Sequence, residues 1–420
     1  MMPETVICGK MFVEGTLQYA EVAVDDGKIT AVAKHIPGGD ERIELGSSKT
    51  VLPGFIDPHV HFRDPGLTEK ENFQTGSLSA LCGGVTCVLD MPNTKPPVTD
   101  LETLMDKKRI VKGRSFVDYG LFAALSPGAR IRLLAPHVPA FKLFMGSTTG
   151  NILLNDDDEI APLMDDIAAT GLPLSVHGED DSMISREPET CNRDHLRNRP
   201  VSAELSCIKR LARYPGVRVN ICHTTNPEQV EAAKAAGFTT EVTMHHLLFN
   251  ADRNPDAFCK VNPPLRDENT RRGLFDSFVK GRIDMFGSDH APHTAAEKER
   301  EYGSAPGGIP GVETTIPLVL DLVRSGVIPM AQAVSMGSFN AASVFGINKG
   351  SIAEGKDADF AIFDFRDVRE IDDRLLHSRC GWSPYKGMRA VFPDMVITGG
   401  RVALEDGEPC GEPAGRDIRA

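Results

Sequence analysis

A chain of 420 residues that is 41% hydrophobic and 25% charged can bury a large core without disulfides. Its 46 Lys and Arg against 59 Asp and Glu leave a formal charge of −13, which argues against a nucleic-acid-binding body and against an anionic membrane surface as partner. The start, MMPETVICGK, lacks the basic and apolar regions of a secretory signal, no apolar run approaches a membrane span, and the nine cysteines form no CxxC pair. The expectation is a soluble cytoplasmic protein with reduced thiols.

Residues 1–51 read as short strands, TVICGKMFV and then EVAVDDGKITAVAK around an Asp25-Asp26-Gly27 turn. From 52 to 351, strand-like runs are expected at 55–62, 85–91, 117–125, 140–146, 173–179, 218–225, 239–247 and 284–291. Helical spacing fills the intervals, as in Leu101, Leu104 and Met105, or Ile160, Leu163, Met164 and Ile167, or Leu205, Ile208 and Ala212. Eight strand–helix units predict an α/β chain folded as a (β/α)8 TIM barrel. A doubly wound sheet is the alternative, but no GxGxxG fingerprint follows a strand. A helix over 329–345 leads out of the barrel. From 352 the strand style returns in DADFAIFDF and MVITGGRVALEDG, so 1–51 and 352–420 are expected to build one small β-sandwich-like domain. The final GEPCGEPAGRDIRA, rich in Gly and Pro, is expected to be loose.

Most of the twelve histidines collect where predicted strands end. GFIDPHVHFRDPG places His59 and His61 two apart, on one face of the first strand. An HxH pair suits a metal because neutral imidazole is a common ligand; alone it is more often a pair of satisfied core histidines. The fourth strand carries Lys142 among Phe141, Leu143 and Phe144, where a lysine either snorkels at the rim or is chemically special. The fifth ends on His177, the sixth on His223, and the eighth on Asp289. Barrel active sites form at the C-terminal ends of strands, and six such residues together outweigh coincidence.

The segments DPHVHFRDPG, DMPNTKPP, KLFMGSTTG, KVNPPLR and GSDHAPH together resemble the amidohydrolase superfamily and, within it, the dihydroorotase family. The likeness extends over essentially the whole chain, including GSIAEGKDADFAIFD. It implies a metal-dependent hydrolase of a cyclic amide, interconverting dihydroorotate and N-carbamoyl-L-aspartate in pyrimidine biosynthesis. By resemblance, two Zn2+ per chain are expected, although manganese or cobalt would suit the same donors. His59, His61 and Asp289 would hold the more buried ion, His177 and His223 the second, and a carboxylated Lys142 would bridge them. An ammonium between two dications would be repelled, whereas its carbamate offers two anionic oxygens. Asp289 would be the general acid and base for a bridging hydroxide. Arg63, Asn93 and His293 would bind the substrate carboxylate and Asn262 the ring, with the loop APGGIPG (305–311) approaching closely. Two alternatives stand beside this reading. One is an allantoinase- or hydantoinase-like sister, which would share the metals and differ at Arg63 and Asn93. The other is an inactive structural partner of aspartate carbamoyltransferase, against which the intact ligand ring argues. Expected partners are a small-molecule substrate and neither nucleic acid nor membrane; a homo-oligomer and an aspartate carbamoyltransferase association are left open.

The remaining marked residues take blander readings. His245 and His246 are expected on the seventh strand as core or supporting histidines. Glu179, Arg199 and Glu204 either orient the strand-five ligand or form a surface ion pair. Cys87 and Cys222 read as core thiols, Asp156–Glu159 as a solvated helix start, and His35, His137, His195 and His377 as unremarkable.

Overall fold

The computed structural model describes residues 2–148 and 152–420; Thr149 and Gly150 of the KLFMGSTTG segment lie outside the described residues. The first strands are β1 (Thr5–Val13), β2 (Thr16–Asp25), β3 (Lys28–Ala33), β4 (Glu41–Glu44) and β5 (Lys49–Pro53). The barrel follows as β6 (Phe55–Val60), β7 (Val85–Asp90), β8 (Asp118–Leu121) with its continuation β9 (Ala123–Ala124), β10 (Phe141–Phe144), β11 (Pro173–His177), β12 (Arg218–Ile221), β13 (Thr239–Val242) and β14 (Met285–Phe286). These strands pair in parallel in chain order. The ring closes where His61 N donates to His290 O at 2.8 Å. Strands such as VTCVLD and FKLF are buried at every position, the continuous burial that a parallel sheet covered by helices requires. The helices carry their own start signals. Asp100 closes a capping box on Leu101–Val111, and Asp156 caps Asp157–Thr170, whose first turn is acidic.

The C-terminal strands are β15 (Phe360–Asp364), the short ribbon β16 (Arg369–Glu370) with β17 (Arg389–Ala390), then β18 (Pro393–Thr398), β19 (Arg401–Glu405) and β20 (Glu408–Pro409). Strands from both chain ends share one nine-stranded sheet, joined by the antiparallel pairing of β5 with β15.

Three segments depart from expectation. The seventh strand stops at Val242, because the Thr243 side chain caps a short helix, Met244–Leu248, that carries His245 and His246. The helix expected over 329–345 is interrupted by a π turn at Ser335–Phe339. The Gly/Pro-rich tail is docked: Gly415 N donates to Ser115 O at 2.8 Å, Ile418 N to Tyr119 O at 2.9 Å and Arg416 N to Asp118 Oδ1 at 2.7 Å. Backbone pairing along the barrel's third strand outweighs the looseness that its composition suggests.

Lys349 ties the two sheets together. It is 2% exposed, lies 2.8 Å from Asp118 Oδ2 on β8 and 3.3 Å from Asp357 Oδ2, and pairs closely with Asp359, just before β15. Removing one partner from a buried ion cluster leaves uncompensated charge and costs about 3–5 kcal/mol. Lys349→Met is therefore expected to lower the apparent Tm by several degrees in a thermal melt. A melt superimposable on the wild type would show that the carboxylates do not depend on it.

Candidate active site

The predicted residues converge at one end of the barrel. His59, His61, Arg63, Asn93, Lys142, His177, His223, Asn262 and Asp289 all line a single cavity, closed on one side by Gly307 and Gly308. His293 stands behind Arg63 instead, with its Nε2 3.3 Å from Arg63 Nη2. His177 ends β11 and His59 lies in β6, whereas His223 and Asp289 fall just past β12 and β14. Lys142 lies deeper, inside β10. Arg63, His223 and Asp289 adopt φ of 62°, 37° and 45°. Side chains rarely sit in this left-handed region, and such strain concentrates at functional sites. For Asp289 it also ends the extended run that the sequence suggested through 291.

The ring nitrogens are oriented by neighbouring side chains. Glu241 Oε1 lies 2.7 Å from His59 Nδ1, Asn93 Oδ1 2.6 Å from His61 Nδ1, and Glu179 Oε2 2.8 Å from His177 Nε2. Burial, reinforced by neighbouring positive charge from Lys142, holds His59 well below the usual histidine range; burial and His177 do the same for His223. With Nδ1–H donated to Glu241, a neutral His59 turns its Nε2 lone pair toward Asp289 Oδ1 at 3.4 Å; His61 Nε2 lies 3.0 Å from the same oxygen. Acceptors so opposed are relieved by a cation between them. One donor atom from each of His59, His61 and Asp289 lies within 4.8 Å of the others. On the other side, His177 Nδ1 faces His223 Nε2 at 3.1 Å, and among the described residues His223 Nδ1 has no hydrogen-bond partner. The donor set fits metal ions.

Lys142 is fully buried, with Nζ 3.1 Å from Cys222 Sγ and 5.1 Å from the Phe144 ring centroid. Among the described residues it has no carboxylate within 4.0 Å. Arg63 is 2% exposed, and burial lowers its guanidinium to about 10 despite the nearby Asp289. His293 is neutral, pushed far down by burial and by the facing cations Arg63, Lys70 and Lys298.

Sequence reasoning did not single out Glu241, which grips His59 from β13 and is raised to about 7 by burial. The one available signal was a single carboxylate within the otherwise uncharged strand TTEV of the barrel wall. Glu179 is buried against both His177 and Arg199, so the ion pair braces the His177 ring rather than decorating the surface. Glu204 does not reach His177; it binds Thr225 Oγ1 at 2.8 Å and Arg266 Nη2 at 2.7 Å. His246 Nε2 lies 3.1 Å from Pro263 O, while both nitrogens of His245 lack hydrogen-bond partners among the described residues.

Comparison with known proteins settles the family. Residues 50–403 match the amidohydrolase family model. The chain belongs to the amidohydrolase family. Sequence relatives include the dihydroorotase of Thermoplasma acidophilum, 37% identical over 99% of this chain and 98% of its own length, and that of Pyrococcus abyssi, 37% identical over the same shares. Among solved structures, the L-hydantoinase (dihydropyrimidinase) of Arthrobacter aurescens superimposes with a TM-score of 0.92 at 28% identity, covering 98% of each chain. A D-hydantoinase (dihydropyrimidinase) from Thermus sp. gives 0.86 at 26%, covering 99% of this chain and 98% of its own. Family membership makes the protein a hydrolase with a metal cofactor, built on the (β/α)8 barrel. No described helix is long and apolar enough to cross a membrane.

Proposed function

We propose that this protein is a dihydroorotase, hydrolysing the ring amide of dihydroorotate to N-carbamoyl-L-aspartate and reversing that step by loss of water. The observation that carries the substrate choice is Arg63, a buried guanidinium on the wall of the histidine-lined cavity. A charge held there is matched by a cyclic amide that bears a carboxylate. The full-length likeness to dihydroorotases at 37% identity supports the same choice over the hydantoinase alternative.

His59, His61 and Asp289 would hold one ion and His177 with His223 a second, zinc being suited to four imidazoles and oxygen anions. A carboxylated Lys142 as the shared ligand is supported by its burial without a paired anion, which an ammonium tolerates poorly. Bound metal would supply Lewis acidity to the scissile carbonyl and lower the pKa of water.

The chain's own groups do the rest. Arg63 fixes the substrate carboxylate, while Asn93, hydrogen-bonded to the His61 ring, and Asn262 face the cavity around the ring. Asp289 Oδ1 lies 3.4 Å from His59 Nε2 and 3.0 Å from His61 Nε2, and cations held by this cluster would keep it a carboxylate. It therefore begins as a base. Asp289 takes a proton from the attacking water; the C–N bond of the ring amide breaks, and the proton passes to the leaving nitrogen. In the reverse direction the same carboxylate removes the ureido proton and returns it to departing water. No covalent link to the enzyme forms, and the Cys222 thiol, raised to about 12 by burial, stays a thiol.

Metal analysis of purified, metal-replete protein beside a dihydroorotate hydrolysis assay tests this reading. Two equivalents of metal per chain and turnover that disappears on chelation are expected. Fewer than two equivalents, or no turnover with full loading, would falsify it.

A further inference from the structure

Asn262 has its side-chain oxygen already engaged. His195, on the helix Asn192–Asn198, places Nε2 2.8 Å from Asn262 Oδ1 and 3.0 Å from Val261 O. A backbone carbonyl only accepts, so Nε2 carries a proton. The other ring nitrogen, Nδ1, lies 2.8 Å from Glu189 Oε1. Glu189 is itself held as a carboxylate: Lys260 Nζ sits 3.0 Å from its Oε2 and Asn198 Nδ2 donates to Oε1 at 3.1 Å. Burial alone would raise it, yet the hydrogen bonds from His195, Asn198 and Lys260 bring it to about 2. The Nε2–H is shared between the Val261 and Asn262 oxygens, while Glu189 holds the other edge of the ring.

A protonated Nε2 dictates which way the amide points. Asn262 Oδ1 faces that N–H, and among the described residues Asn262 Nδ2 donates to no protein group. Asn262 lines the cavity beside Gly307, where an added Cβ would meet Nδ2 at 3.2 Å. We propose that Glu189 and His195 are positioning residues that lock the Asn262 amide with its NH2 toward the cavity, where it donates to a ring carbonyl oxygen of the cyclic ureide. The proposal rests on the dihydroorotase reading for its substrate, but the lock itself is a property of the free protein. It also gives a role to His195, which its sequence context leaves featureless.

The discriminating change is His195→Leu. It keeps a side chain of similar bulk but removes the Nε2–H that Val261 O and Asn262 Oδ1 share. The Asn262 amide then loses its fixed orientation and is expected to turn its oxygen toward the substrate carbonyl in part of the population. Losing that donor should raise the KM for dihydroorotate about tenfold, with kcat changed less than threefold, because a uniformly used contact is lost. Asn262→Ala should raise KM comparably. The double variant should match Asn262→Ala alone, since His195 acts only through that amide. A KM unchanged in His195→Leu, or a double variant in which both losses multiply, overturns the lock. The substrate-free arm is the 15N NMR spectrum of metal-loaded wild-type protein near neutral pH, assigned by comparison with His195→Gln. A protonated Nε2 on His195 is expected; a wild-type ring protonated on Nδ1 alone refutes the proposal whatever the substrate. Wild-type protein that shows the Nε2–H but no dihydroorotate turnover would instead sink the substrate reading.

Discussion

Lys142→Ala is expected to lose about a thousandfold or more in dihydroorotate hydrolysis, together with most of the bound metal. Lys142 is fully buried in β10, pairs along the sheet with Ala124 and Ser175, and among the described residues its amine meets Cys222 Sγ and the Phe144 ring. As an ammonium it would add positive charge to a cavity already built to collect cations. As a carbamate it would supply the anion that lets two dications share that cavity. Truncation removes that anion and leaves like charges facing each other, and the several kcal/mol of transition-state stabilisation lent by metals correspond to about three powers of ten. Because β10 is held by backbone pairing, Lys142→Ala should retain its circular dichroism. Acetate or propionate should restore part of the rate by occupying the vacated volume with a carboxylate. Full metal content with an unchanged rate would remove the bridging role.

The parts of this site that were legible in the sequence are those in which chemistry and periodicity coincide locally. His59 and His61 share a strand face because side chains alternate, and His177 and His223 end apolar runs that could only be barrel strands. What was not legible depends on partners far away in the chain. Glu241 meets His59 across 182 residues and His195 meets Asn262 across 67, so no local pattern distinguishes either from an ordinary polar residue. The short helix at Met244–Leu248 was hidden for another reason. VTMHHLL continues the alternation and bulk of a strand, and only the capping by Thr243 Oγ1 turns the chain. The docked tail shows the same limit, since Gly415 serves Ser115 and Val117 by being small enough to lie against their backbone.

Arg63→Met tests the feature that separates this reading from its hydantoinase-like sisters. Arg63 is fixed before substrate arrives: its Nε donates to Pro292 O at 3.2 Å, its φ is 62°, and His293, itself next to Lys70, stands behind it. A guanidinium so placed and so buried has given up water that only an anion can replace. Dihydroorotate offers that anion; dihydrouracil is the same ring without it. The wild-type enzyme should therefore prefer dihydroorotate by about a hundredfold or more in kcat/KM, the discrimination expected when a site built for a polar group meets an analogue lacking it. Methionine keeps the length and apolar stem of arginine but loses the fork, so Arg63→Met should erase most of that preference, chiefly by slowing dihydroorotate. Metal content should stay at the wild-type level, because Arg63 is no ligand, and this separates the variant from Lys142→Ala. An enzyme that prefers dihydrouracil, with Arg63→Met leaving that preference untouched, would move the substrate from the carboxylate-bearing ring to the bare one.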